Sequence, residues 1–141
     1  VIKLHPSEDV DYYRKIIKKD SLLILDHNME IDYNDSFVIA DIVCTYNSAF
    51  GMDSILKGLP VITININDHL LGQARDLSEY GGLPVVTSAF SLAQIITRYF
   101  SDSTYRHTLQ KKVQNYSASY CKAFSEDAAH NIIEQIGLKS D

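Results

Sequence analysis

Ala40-Asp41-Ile42-Val43-Cys44-Thr45-Tyr46-Asn47-Ser48-Ala49-Phe50-Gly51-Met52-Asp53-Ser54-Ile55-Leu56-Lys57-Gly58-Leu59-Pro60-Val61-Ile62 reads as one complete strand, turn, helix and second strand. Ile42–Thr45 is a short unbroken run of the kind found in strands buried on both faces. Ser48 has the side chain of a helix N-cap, and the helix is expected to run through about Lys57. Gly58-Leu59-Pro60 is a helix stop: glycine tolerates the left-handed conformation past the last turn, and proline cannot continue the helix. Val61–Ile66 then forms the next apolar run. Strands that follow one another through a helix pair in parallel, with a right-handed crossover.

The same alternation extends in both directions. Upstream, Val1–Leu4 is a strand closed by Pro6. Ser7 is expected to cap a helix with Glu8 and Asp9 in its first turn, and Val10, Tyr13, Ile16 and Ile17 form its apolar stripe. Lys18 and Lys19 stand at that helix's C-terminal end, Leu22–Leu25 is a strand, and Ser36–Ala40 is a helical turn. Downstream, Asn67–Gly82 is polar and partly helical, and Leu83–Thr87 is a short strand. From Ser91 the pattern is helical, with breaks at Ser101-Asp102-Ser103 and near Ser125. Its stripes are Leu92, Ile95, Ile96, Tyr99 and Phe100, then Leu109, Val113, Tyr116 and Tyr120, then Ile132, Ile133 and Ile136. The expected fold is an α/β Rossmann-like α/β/α sandwich: a parallel sheet of about five strands with the C-terminal helices packed on it, forming a single domain over 1–141.

Composition narrows the function. With 13 basic and 18 acidic residues in 141, and a formal charge of −5, a large basic face for nucleic acid is not expected. Cys44 and Cys121 are far apart; an even count permits one disulfide, but they read better as two thiols of a reducing cytosol. No apolar run approaches the ~20 residues that cross a bilayer. The chain begins without Met, already inside an apolar run, as expected of a piece of a longer polypeptide.

Ligands of parallel sheets bind beyond the carboxyl ends of the strands. That directs attention to His5, Asp26–Asn28, Tyr46–Gly51 and Asn65–His69. The first amides of the helix after Thr45, including that of Ala49, point toward the Ser48 hydroxyl and the Asn47 amide and make an anion site. Gly51 permits close approach of a ligand or of neighbouring backbone. Asp53 could accept from ribose hydroxyls. The plainer alternatives are that Ser48 only caps, Gly51 only packs, and Asp53 is a surface acid. His5 could donate to a phosphate oxygen or protonate a departing phosphate; its alternative is a histidine satisfied by backbone. His27, His69, His107 and His130 show no metal-ligand spacing, and no metal is expected. There is no G-x-G-x-x-G, no Walker lysine and no G-x-S-x-G elbow.

Lys3-Leu4-His5-Pro6, the turn after the aspartate-ended strand, and Asn47-Ser48 with Gly51, Asp53, Gly58 and Pro60 together resemble the C-terminal domain of GT-B glycosyltransferases. The likeness is to bacterial capsule and surface-polysaccharide enzymes: the Kdo and sialic acid transferases with a His-Pro motif, and the glycerophosphotransferases of teichoic acid synthesis. A fainter likeness to UDP-sugar transferases lies in Asp68, Gln73-Ala74-Arg75 and Gly81-Gly82. The resemblance implies a nucleotide-sugar donor, linked to CMP, CDP or UDP, and no other cofactor. It implies His5, Asn47, Ser48 and Ala49 at the phosphate, His5 as the catalytic group, and Asp53 at the ribose. The family has Glu where Asp53 stands, one methylene longer. It also has an N-terminal acceptor domain, which this stretch lacks, so the fragment alone is expected to bind donor without turnover. The parent would be cytoplasmic, with peripheral membrane association. A UDP-N-acetylglucosamine 2-epimerase-like domain and a non-catalytic flavodoxin-like interaction domain are the competing readings.

Overall fold

The computed structural model describes residues 1–5, 7–17, 25–26, 31–46, 48–66, 72–79 and 81–123. Its contacts gather the chain, which reads as one domain, into two compact units, Val1–Ile39 and Ala40–Asp141. The architecture is α/β with parallel strands. Among the described residues these strands hydrogen-bond as a pair and a triplet, whereas a single sheet of about five is the sequence expectation.

In the first unit, β1 (Ile2–Lys3) lies parallel to β2 (Leu25–Asp26), with Lys3 opposite Asp26. Lys3 Nζ bonds Asp26 Oδ2 at 2.8 Å and donates to the Ile31 carbonyl at 2.7 Å. The Asp26 side chain is 1% exposed, so this ion pair is buried on its acidic side. Helix α1 (Val10–Ile16) is capped by Asp9, whose carboxylate accepts from the Asp11 N–H at 2.9 Å, and not by Ser7 as expected. Ser7 is drawn instead into a turn with His5. Helix α2 (Tyr33–Ile39) starts three residues before the expected Ser36, because Asp32 accepts from the Asn34 N–H at 2.8 Å and opens the helix there. Phe37 is its buried residue, met edge-on by Tyr33. The apolar side chains of α1 stay partly or largely exposed, among them Ile16 at 58%.

The second unit is built on β3 (Val43–Thr45), β4 (Val61–Ile64) and β5 (Val85–Val86), all parallel with β4 central. Val43 is level with Val61, Thr45 with Thr63, and Thr63 with Val85. In β4, Val61, Ile62 and Thr63 are all buried, as a continuous apolar run predicts. Helix α3 (Ala49–Leu56) links β3 to β4, and α4 (Gly72–Glu79) links β4 to β5. Residues alternate faces along a strand, so Val43, Thr45, Val61 and Thr63 share the face that meets α3. The Thr63 hydroxyl is buried there with no partner among the described residues.

The end of α3 follows its sequence signal closely. The Gly58 N–H donates to the Ile55 carbonyl at 2.9 Å and the Leu59 N–H to the Ser54 carbonyl at 2.8 Å. Gly58 sits at φ 83°, the left-handed residue that this paired bonding pattern needs. Helix α5 (Ala89–Ser101) begins two residues before Ser91, because Ser88 and Ser91 cap each other reciprocally. Asp102 separates it from α6 (Ser103–Ala123), as expected, and its carboxylate accepts from the Tyr105 N–H at 2.9 Å. That bond, with the neighbouring Arg98, holds the Asp102 carboxyl below its ordinary pKa.

Helix α6 packs on α3 and α5, placing Leu109 and Val113 in one cluster with Val43, Met52, Ile55, Val61, Leu77, Leu83 and Tyr99. Tyr116 and Tyr120 flank that cluster, and the Tyr99 hydroxyl donates to the Asp41 carbonyl at 3.3 Å. Phe100, expected on the buried stripe, is 54% exposed. The stripe Ile132, Ile133 and Ile136 and the break near Ser125 lie outside the described residues. No helix among the described residues is long and apolar enough to cross a membrane.

Candidate functional site

The turn from β3 into α3 carries the strongest sequence signal. Ser48 has extended backbone, φ −131° and ψ 140°, and its Oγ accepts from the Phe50 N–H at 3.3 Å. Its carbonyl accepts from the Gly51 N–H at 2.9 Å. The hydroxyl hydrogen is not used by the cap bond, so Ser48 can accept from its helix and donate outward together. Ala49, the first helical residue, is exposed, and its N–H has no partner among the described residues. The helix end adds partial positive charge worth about 0.3–1 kcal/mol toward an anion, so an anion needs several direct hydrogen bonds as well. Asn47 lies outside the described residues.

Gly51 faces the sheet. A Cβ placed on it would lie 2.8 Å from Thr45 Cγ2 and 3.8 Å from Val61 Cγ1, closer than Thr45 can accommodate unmoved. Its missing side chain therefore sets the spacing between α3 and β3. Asp53 falls one turn after Ala49, on the same helical face, and is half-buried. The buried side of the helix carries Met52, Ser54 and Ile55.

His5 belongs to the first unit, just beyond β1. It is exposed, and its ring is held locally: Nδ1 is 2.6 Å from Ser7 Oγ and accepts from the Ser7 N–H at 3.2 Å. The His5 N–H donates to Glu8 Oε2 at 2.8 Å, and the Glu8 N–H donates to the His5 carbonyl at 2.9 Å. The Tyr13 hydroxyl donates to the other Glu8 oxygen. The Tyr13 bond first, and the His5 backbone bond second, hold the Glu8 carboxyl below its ordinary range. Sequence reasoning treats Ser7 and Glu8 as helix-start residues only. The local signal for their other role is a hydroxyl two residues after a histidine.

Other residues at strand ends are already engaged. Asp26 is occupied by Lys3. Asn65, after β4, is buried and its N–H continues the ladder to Val86 at 2.7 Å. Gly81 and Gly82 serve the end of α4: a Cβ on Gly81 would be 2.6 Å from the Leu77 carbonyl oxygen, and Gly82 has φ 58°. The Gly82 carbonyl accepts from Lys112 Nζ at 2.9 Å. Exposed His107 lies on α6, while His27, Asp68, His69 and His130 lie outside the described residues. Desolvation around its sulfur raises the Cys44 pKa, which leaves less of the reactive thiolate at neutral pH. No group of three or more His, Cys, Asp or Glu side chains among the described residues could hold a metal ion. Comparisons with models of known protein families, with curated proteins and with solved structures find no match to this chain.

Proposed function

We propose that this chain is the donor-binding part of a GT-B type glycosyltransferase that builds bacterial surface polysaccharide. In this reading its parallel strands belong to a five-stranded Rossmann-like fold. The donor is a sugar linked to CMP, CDP or UDP, and the acceptor domain belongs to the same parent protein, a cytoplasmic enzyme at the membrane periphery. The observation that carries the reading is the Ser48-capped start of α3, directly after a parallel strand, with Asp53 one turn below Ala49 on the same helical face. Backbone N–H groups and the Ser48 hydroxyl would hold the phosphate, and Asp53 would accept from the ribose. Electrostatic stabilisation of the departing nucleotide is then the chemistry, with His5 as a further phosphate contact implied by the resemblance. Gly51 packs against Thr45 and Val61 beside this site.

The test is calorimetric titration with CMP, CDP, UDP, GDP and their sugar conjugates. One nucleotide is expected to bind selectively. Ser48→Ala and His5→Ala are each expected to weaken that binding about tenfold, as for a lost hydrogen bond to a charged group, with the circular dichroism unchanged. The reading fails if no member of the panel binds, which is the outcome for an interaction domain, or if both variants bind with unaltered affinity.

A further inference from the structure

The turn around His5 decides which of its two ring nitrogens can act. A backbone N–H can only donate, so the bond from the Ser7 N–H makes Nδ1 an acceptor, and the neutral ring then carries its hydrogen on Nε2. Ser7 Oγ, 2.6 Å from the same nitrogen, supplies a second donor. Two further bonds keep the backbone of this turn in place: His5 N–H to Glu8 Oε2, and Glu8 N–H to the His5 carbonyl. Nε2 has no partner among the described residues, and His5 is exposed.

We infer that Ser7 is a positioning residue that fixes His5 as the Nε2–H tautomer and so presents one neutral hydrogen-bond donor to an anionic oxygen. Use of that donor on a nucleotide phosphate rests on the donor-binding reading above; the tautomer does not. A ring locked in this way binds an oxygen through Nε2 and offers no base there, because the lone pair is on the nitrogen that Ser7 occupies. Glu8 acts one step further out, through the backbone of the turn.

Long-range nitrogen–proton correlation spectra of the full chain, with His5 assigned by loss of its signals in His5→Gln, give the tautomer directly. At a pH where the ring is neutral, His5 Nε2 is expected to resonate as a protonated nitrogen and Nδ1 as an unprotonated one. Ser7→Ala loses the hydroxyl donor and keeps the backbone N–H, so it should move both signals part of the way toward the mixed positions of an unconstrained ring, and Ser7→Thr should restore them. A protonated Nδ1 in the parent chain overturns the inference, and so does a Ser7→Ala spectrum identical to the parent. Titration with the nucleotide selected above adds a second arm, in which Ser7→Ala should weaken binding about two- to fivefold and Ser7→Thr should not. Absence of nucleotide binding by the parent chain defeats the donor-binding reading while the spectra still decide the tautomer.

Discussion

Gly51 shows how one side chain sets the geometry of an element. Replacing a helical glycine by alanine normally stabilises by about 0.5–1 kcal/mol, because the unfolded chain loses freedom. Here the new methyl would meet Thr45 Cγ2 at 2.8 Å, and Thr45 is β-branched and cannot swing aside easily. Overpacking of this kind costs about 1–3 kcal/mol, so the clash outweighs the gain. Gly51→Ala is therefore expected to lower stability in urea denaturation by about 1 kcal/mol, and Thr45→Ser in the same chain should recover most of it. A stabilised Gly51→Ala would show that the helix has room to move. Residue roles of this kind were only half legible in the sequence. Ser48 announces itself as a cap through its place before an apolar helix. Gly51 does not, since which face a glycine turns to the sheet depends on where the strand lies. Ser7 and Asp9 are both good caps, and the choice between them was settled by the His5 ring competing for Ser7.

At the scale of the element, α3 is the most self-determined part of the chain. Its start, stop and length are all written in local residues: Ser48, Gly58 and Pro60. A Cβ on Gly58 would find no atom within 4 Å, so a substitution there is opposed by the backbone conformation alone. Gly58→Ala is expected to cost about 1 kcal/mol in the same urea experiment, and Gly58→Asn less, since asparagine tolerates the left-handed region better. Equal loss in both would point to a contact that the geometry does not show. Helices α2 and α5 were legible as helices but not to the residue. Their caps, Asp32 and Ser88, stand upstream of Ser36 and Ser91, where the pattern alone begins these helices. Strands were legible as apolar runs, and the parallel pairing of successive strands follows from the helices between them. Their grouping into a pair and a triplet was not, because no local propensity encodes how many strands share one ladder.

In the molecule as a whole, the second unit holds the main apolar core. Its centre is the cluster between the β3–β4–β5 sheet and helices α3, α4 and α6, with Ile55, Val61 and Val113 fully buried. Leu109, 2% exposed within this cluster, should cost about 2–4 kcal/mol when cut to alanine. Phe90, 72% exposed, should change stability by less than about 0.5 kcal/mol under the same truncation. Comparable losses at the two positions, read from denaturant midpoints, would mean that the core is elsewhere.

The first unit is organised differently. Its buried side chains among the described residues are few, and Lys3 joins Asp26 and the Ile31 carbonyl through a single ammonium. Losing Lys3 would leave the Asp26 carboxylate away from water without its cation, while losing both together removes the problem along with the bond. Over generations the lysine is thus bound to the fate of the aspartate: descendants can keep the couple or trade it wholesale for hydrocarbon, but an intermediate bearing the carboxylate alone faces purging before the second exchange arrives.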